Sequence, residues 1–172
     1  MPILWKPFYV LLGMLVTMPV LALGFFGEEE GYSGYVEPDP WKEAFTKIPE
    51  YLDDDRLLEL SIDLINTPFT YWIDPESIQE GTDEVVRYMI LLRSSTGSEN
   101  AFYEGIRCDT MEFKTYAYGV GKRFQAKRNQ QWMPIRNSGS VRYRAELFQH
   151  YLCENKLPLD KDQIIRNIKY PS

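Results

Sequence analysis

Histidine is almost missing from this sequence and cysteine is scarce: one His and two Cys stand among 172 residues. A Ser-His-acid triad would have to use His150, and no Gly-x-Ser-x-Gly elbow exists to carry its nucleophile. Cys108, Cys153 and His150 fall short of a four-ligand zinc site, and His150 reads as a surface or helix-flank residue. Asp53-Asp54-Asp55 lacks the Gly and Glu offsets of a calcium loop and reads as a solvated turn. In Gly119-Val120-Gly121-Lys122, Tyr116 stands where a Walker A motif needs its upstream Gly, so a hairpin turn is expected. No internal repeat is visible. Catalytic residues, cofactor and metal are therefore all expected to be none. An enzyme would need a pocket at Glu104 or Asp109, and a buried Glu104 paired with Arg107 or Lys114 reads first as a structural ion pair.

Charge is absent from Phe8 to Phe26. Lys6 supplies a positive n-region, Val10 to Leu21 an apolar h-region, and Val20-Leu21-Ala22 or Ala22-Leu23-Gly24 a small-residue cleavage point. Residues 1–26 are thus expected to be an export signal. The alternative is a retained anchor, since nineteen residues span ~28 Å, close to the hydrocarbon thickness. Either way Lys6 stays inside and the acidic bulk goes out. No cysteine lies near residue 22, which excludes a lipoprotein anchor. In an exported chain two cysteines read as one disulfide, Cys108 to Cys153, with two buried thiols as the alternative.

What remains is about 150 residues, the size of one domain. Hydrophobic residues make up 44% of the chain, enough to fill a core, and the 12 tyrosines lean it towards sheet. Net charge is −6, but unevenly spread. Twelve acids against three bases lie between Glu28 and Asp63; seven bases and no acid lie between Lys122 and Arg144. The seven are Lys122, Arg123, Lys127, Arg128, Arg136, Arg142 and Arg144. The two blocks either neutralise each other within one fold or leave a basic face for an anionic partner.

Residues 27–56, rich in Gly, Pro and acid, read as a loosely ordered lead-in. From Leu57 the pattern is strand-like. Leu57–Asp63 alternates, Phe69–Ile73 is a short aromatic strand, and Asp74-Pro75-Glu76-Ser77 is expected to turn the chain. Val85–Arg93 puts Val86, Tyr88, Ile90 and Leu92 on one face. Ser95–Ser98 is a hairpin loop. Asn100–Cys108 and Met111–Tyr118 continue the meander, with Trp132–Ile135 as a final short strand. Leu147, Phe148, Tyr151 and Leu152 then recur at helical spacing, after Ser140 as N-cap. On an ideal helix Cys153 points away from that stripe, so the helix must end just before it if Cys153 is to reach Cys108. Residues 161–169 read as a second short, polar helix. The fold class is α+β: a small antiparallel meander of about five to six strands, a C-terminal helix packed on one face, and one disulfide.

Val85-Val86-Arg87-Tyr88, Tyr103-Glu104-Gly105-Ile106-Arg107-Cys108-Asp109-Thr110, Glu112 to Gly119, Trp132-Met133-Pro134-Ile135 and Leu147 to Cys153 together resemble the CNP1-like family of exported proteobacterial proteins. The resemblance covers roughly residues 57–153 and leaves the lead-in and a polar tail, 154–172, outside. A more distant likeness, in Ile73-Asp74-Pro75-Glu76-Ser77-Ile78 and the overall layout, is to surface adhesin E domains of Gram-negative bacteria. Both imply a small antiparallel sheet with a helix and bridged cysteines; neither implies a binding site.

Two features are candidates for function. Tyr103, Tyr116 and Tyr118, with Arg107 and Lys114, would form an open partner face if the helix covers the other side; otherwise they make a second core layer against the N-terminal region. The basic block, interleaved with Phe124, Trp132 and Tyr143, would suit an anionic polymer or lipid head group. The expectation is a non-enzymatic envelope protein, periplasmic or on the cell surface, binding a protein or an envelope polyanion and no nucleic acid. Membrane contact would come only through residues 8–26, if uncleaved. The alternative is a membrane-anchored accessory subunit of an inner-membrane complex.

Overall fold

The computed structural model describes residues 40–62, 64 and 67–171; the expected export segment and the lead-in up to residue 39 lie outside them. The described chain is an antiparallel meander followed by helices. In sequence order come β1 (Leu58–Leu60), β2 (Phe69–Glu80), β3 (Val85–Ser94), β4 (Glu99–Arg107), β5 (Glu112–Val120), β6 (Arg123–Ala126) and β7 (Met133–Pro134). Strands β1 to β6 lie side by side in that order. β6 and β7 both pair with β5, at opposite ends: Val120 faces Arg123, and Glu112 faces Pro134.

Local turn chemistry explains the order. Gly97 closes the β3–β4 hairpin with φ +85°, where a side chain would be strained. Gly121 and Lys122, both at positive φ, form the two-residue link between β5 and β6. This matches the twist of a tight hairpin and bears out the hairpin expected at Gly119–Lys122. β1 is shorter than expected, because Ile62 N–H turns back to the Leu60 carbonyl at 2.8 Å.

Asp74–Ser77 does not turn the chain. It is a bulge inside the twelve-residue β2, with residues 75–78 opposing Tyr88 alone. The turn-forming side chains replace the missing ladder bonds. The buried Asp74 carboxylate accepts from Glu76 N–H at 2.9 Å; Ser77 Oγ donates to the Asp74 carbonyl at 2.6 Å and accepts from Met89 N–H at 2.7 Å.

The C-terminal helix starts later than expected. Ser140 lies in a 3-10 turn (Gly139–Val141), and α1 (Tyr143–Glu146) is preceded by Arg142 in helical conformation, without a side-chain cap. From Leu147 to Leu152 it widens into a π-helix, which seats Leu147, Tyr151 and Leu152 together in the core. Cys153 is then extended, with φ −130°. The helix therefore ends where the bridge requires, and Cys108 and Cys153 are joined with Cα atoms 5.8 Å apart. A two-stranded hairpin, β8 (Cys153–Glu154) and β9 (Leu157–Pro158), leads into α2 (Lys161–Lys169). Asp160 and Gln163 form a capping box for α2, and Ile164 and Ile168 are buried. The polar tail is thus part of the core.

The sheet has two apolar layers. Val86, Tyr88, Ile90 and Leu92 of β3 pack with Ile106, Phe113, Leu147, Leu152, Ile164 and the disulfide on the helical side. Met89, Leu91, Tyr103, Tyr116 and Ala117 pack on the other side with Leu52 and its neighbours from the lead-in. Among the described residues no helix is long and apolar enough to cross a membrane.

Candidate functional site

The second apolar layer is covered by the chain itself. Residues 40–52 run across β3, β4 and β5 as a strap. Three donors converge on the Glu43 carboxylate: Lys114 Nζ at 2.7 Å, Tyr116 OH at 2.9 Å and Trp132 Nε1 at 3.2 Å. Asp83, in the β2–β3 turn, holds the strap from the other side. Its carboxylate takes a bidentate pair from Arg87, at 3.0 and 2.6 Å, and the Ala44 N–H at 2.8 Å; its carbonyl takes Trp41 Nε1 at 2.9 Å. The Arg107 guanidinium stacks 4.0 Å over the Trp41 ring, and Trp41 meets Trp132 edge-on at 5.9 Å. Thr46 and Tyr103 share a hydroxyl bond of 2.9 Å. Gly105 makes room for this layer, since a methyl group there would come within 3.0 Å of the Tyr116 ring.

The open partner face is therefore closed in this structure, and the second core layer is what forms. Tyr103 and Tyr116 are each 2% exposed; Arg107 and Lys114 are half-buried. Tyr118 is not on that face at all. β5 has one residue more than β4 between the pairs Glu104–Thr115 and Tyr103–Ala117. Past that bulge the alternation flips, so Tyr118 pairs with Phe102 on the helical side.

Burial alone would raise the carboxyl pKa of Glu43, but its hydrogen bonds from Lys114, Tyr116 and Trp132 outweigh that and hold it below the usual carboxylate range. Asp83 is held low in the same way, by Arg87 and the Ala44 N–H. A depressed folded-state pKa gives stability that is present above the ordinary value, about 4, and is lost as pH falls through the folded value. Acidification from about pH 5 should therefore loosen the strap before the rest of the sheet, changing the fluorescence of Trp41 and Trp132. A Glu43→Gln/Asp83→Asn double variant should lack that transition; a transition unchanged in the variant would refute the assignment.

A second polar cluster lies on the helical side. Glu104, 0% exposed, accepts from Thr115 Oγ1 at 2.8 Å, from Tyr143 OH at 3.1 Å, from Tyr88 OH at 3.4 Å and from Arg144 Nε at 3.0 Å, with a further bond from Arg144 Nη2. Its partner is thus Arg144, not Arg107 or Lys114. Burial and the neighbouring Glu104 charge push the Tyr88 and Tyr143 phenols well above their ordinary range. Burial would lower the Arg144 pKa, but Glu104 outweighs it and raises it. All these groups are occupied by one another, and the cluster ties α1 to the sheet. Asp109 is bonded to Arg107 at 2.7 Å.

The seven bases scatter. Arg144 is internal; Arg142 is 3.7 Å from Glu146; Lys122 lies 2.8 Å from Asp54, so part of the acidic block does meet the basic one. Arg123, Arg128 and Arg136 are exposed and Lys127 partly so. These four form no ion pair among the described residues. Lys127 N–H and Gln130 Nε2 both bond the Tyr116 carbonyl, at 2.8 and 3.1 Å, fixing the β6–β7 connection against β5. Beside the disulfide, a shallow groove of about 680 Å³ is lined by Glu146, His150, Tyr151, Asn155 and Asn167 among others. His150 is exposed there, as expected, 3.6 Å from Glu146. No group of three or more potential metal ligands gathers among the described residues.

Sequence reasoning missed Trp41, Glu43, Asp83 and Arg87. The Glu43 bonds span 71 to 89 residues, so nothing local marks them.

A meander covered on one face by helices, sealed on the other by a strap from its own chain and bridged by a disulfide is an α+β module. It belongs to the CNP1-like family, whose sequence model matches residues 36–169. That extent takes in both the strap and α2, beyond the 57–153 expected. The chain is similar to cryptic neisserial protein 1 of Neisseria gonorrhoeae (strain ATCC 700825 / FA 1090), 30% identical over 114 residues, covering 56% of this chain and 54% of the relative. The chain thus spans about half the length of that relative. No solved structure matches it.

Proposed function

We propose that the protein is exported and acts in the cell envelope as a non-enzymatic binding module for an extended anionic partner, held along the outer margin of β5. The observation that supports this is the string of four cations that form no ion pair among the described residues. Arg123 stands at the Val120 end of β5, Lys127 and Arg128 follow beside Tyr116, and Arg136 lies past the Glu112 end. Eight steps of strand separate the two ends, ~27 Å. A compact head group would reach one or two of these charges; an extended polyanion or acidic chain can follow them all.

Immobilised heparin is a suitable extended probe. The protein should be retained at low salt and released near 0.5 M, where the Debye length falls to about 4 Å. An Arg123→Gln/Lys127→Gln/Arg128→Gln/Arg136→Gln variant should pass unretained, and equal retention of variant and parent would overturn the reading. Cell fractionation with sequencing of the amino terminus tests export. A cytosolic chain beginning at Met1 would refute it, and an intact leader in the membrane fraction would make the module an anchored subunit.

A further inference from the structure

The strap is held in an unusual way. Among the described residues, no backbone–backbone hydrogen bond joins residues 40–52 to the sheet. Every bond that fastens it has a side chain at one end or both. Within the stretch only Leu52 is buried, and Phe45 is 95% exposed. The sheet side, by contrast, is set on paired strands: Arg87 from β3, Arg107 from β4, Lys114 and Tyr116 from β5, with Trp132 just ahead of β7. It offers three cations and two ring-borne donors to whatever lies over it. The strap answers with an aromatic ring, Trp41, and a carboxylate two residues later, Glu43.

We propose that this face is a receptor for an extended peptide bearing an aromatic residue and a carboxylate two positions apart, and that the strap is its intramolecular occupant. The carboxylate is read by Lys114, Tyr116 and Trp132; the ring is stacked by the Arg107 guanidinium and makes a T-shaped contact with Trp132. The binding surface is independent of the β5 margin cations, so either site can fail without the other. A tethered occupant competes at an effective concentration of order millimolar. An external peptide therefore binds weakly until the strap is weakened, and tightly afterwards.

The probe is a fluorescent peptide of residues 40–52, titrated into the full-length protein. A Trp41→Ala/Glu43→Gln strap variant should bind it about tenfold or more tighter than the parent does, the tether having been the competitor. Binding should fall by about tenfold when the peptide carries the Glu43→Gln change, or when the receptor also carries Lys114→Ala. Far-UV circular dichroism verifies that the sheet is retained; Glu43→Gln alone, which keeps the Trp41 anchor, serves if the double variant is unfolded. A folded strap variant that binds no better than the parent, or that takes the wild-type and Glu43→Gln peptides equally, overturns the proposal.

Discussion

Glu104→Ala unfolds in urea at a much lower midpoint than the parent, a loss of about 3–5 kcal/mol, because it strands the Arg144 guanidinium in the core. The Arg144 side chain is only 8% exposed and lies between the Phe113 and Tyr143 rings, 4.1 and 4.6 Å from their centroids. Those ring faces offer no second carboxylate, and the Tyr143, Tyr88 and Thr115 hydroxyls lose their acceptor as well. The loss is large beside a typical total stability of about 5–15 kcal/mol. Arg144→Met should cost a similar amount for the mirror reason, leaving a buried carboxylate with hydroxyl donors alone. Removing both charges tests the explanation. Glu104→Leu/Arg144→Met should lose much less than the sum of the single changes, since a desolvated pair replaced by apolar groups is often close to neutral. Single variants costing less than about 1 kcal/mol would show that the cluster is not the tie between α1 and the sheet.

Breaking the Cys108–Cys153 bridge ranks next. The two cysteines are 45 residues apart, and closing such a loop removes about 4 kcal/mol of denatured-state entropy in the chain model. A Cys108→Ser/Cys153→Ser variant should lose stability of that order in equilibrium denaturation. Its helical signal should weaken most, because the bridge anchors the π-helical segment to β4 at the point where the helix stops. The sulfurs are shielded, Cys108 at 0% and Cys153 at 7% exposure, so reductant should act slowly on the native parent and fast once denaturant opens it. A variant as stable as the parent would deny the bridge any role as a staple.

Much of the architecture could be read in advance, for a physical reason. Period-two alternation in Val85–Arg93 and Asn100–Cys108 depends only on which residues avoid water, so the inward faces of β3 and β4 follow from the side chains. The stop before Cys153 was likewise a matter of geometry, since helix and bridge cannot otherwise coexist. Two local signals misled. Asp74-Pro75-Glu76-Ser77 has turn chemistry, but the sheet uses it to fill a bulge; Tyr118 looks to be in phase with Tyr116, but one extra residue in β5 reverses it. A bulge is decided by which partner strand lies opposite, and that is not written in the strand itself.

The candidate site was less legible. Tyr103, Tyr116 and Lys114 do share one face and Tyr118 does not, yet whether that face was surface or core hinged on where residues 40–52 would lie. In the same way the seven bases of one block separate into an internal ion pair, two neutralised surface cations and four that form no ion pair among the described residues. Sequence by itself determined the class of fold, the strand faces of β3 and β4 and the family, because these depend on local periodicity, residue type and near-neighbour pattern. Only the tertiary structure decided that Glu43 seals the tyrosine face, that Arg144 belongs to Glu104 and that the last helix docks through Ile164 and Ile168. Each of those is a contact between segments distant in the chain, selected by shape and charge once the sheet has formed.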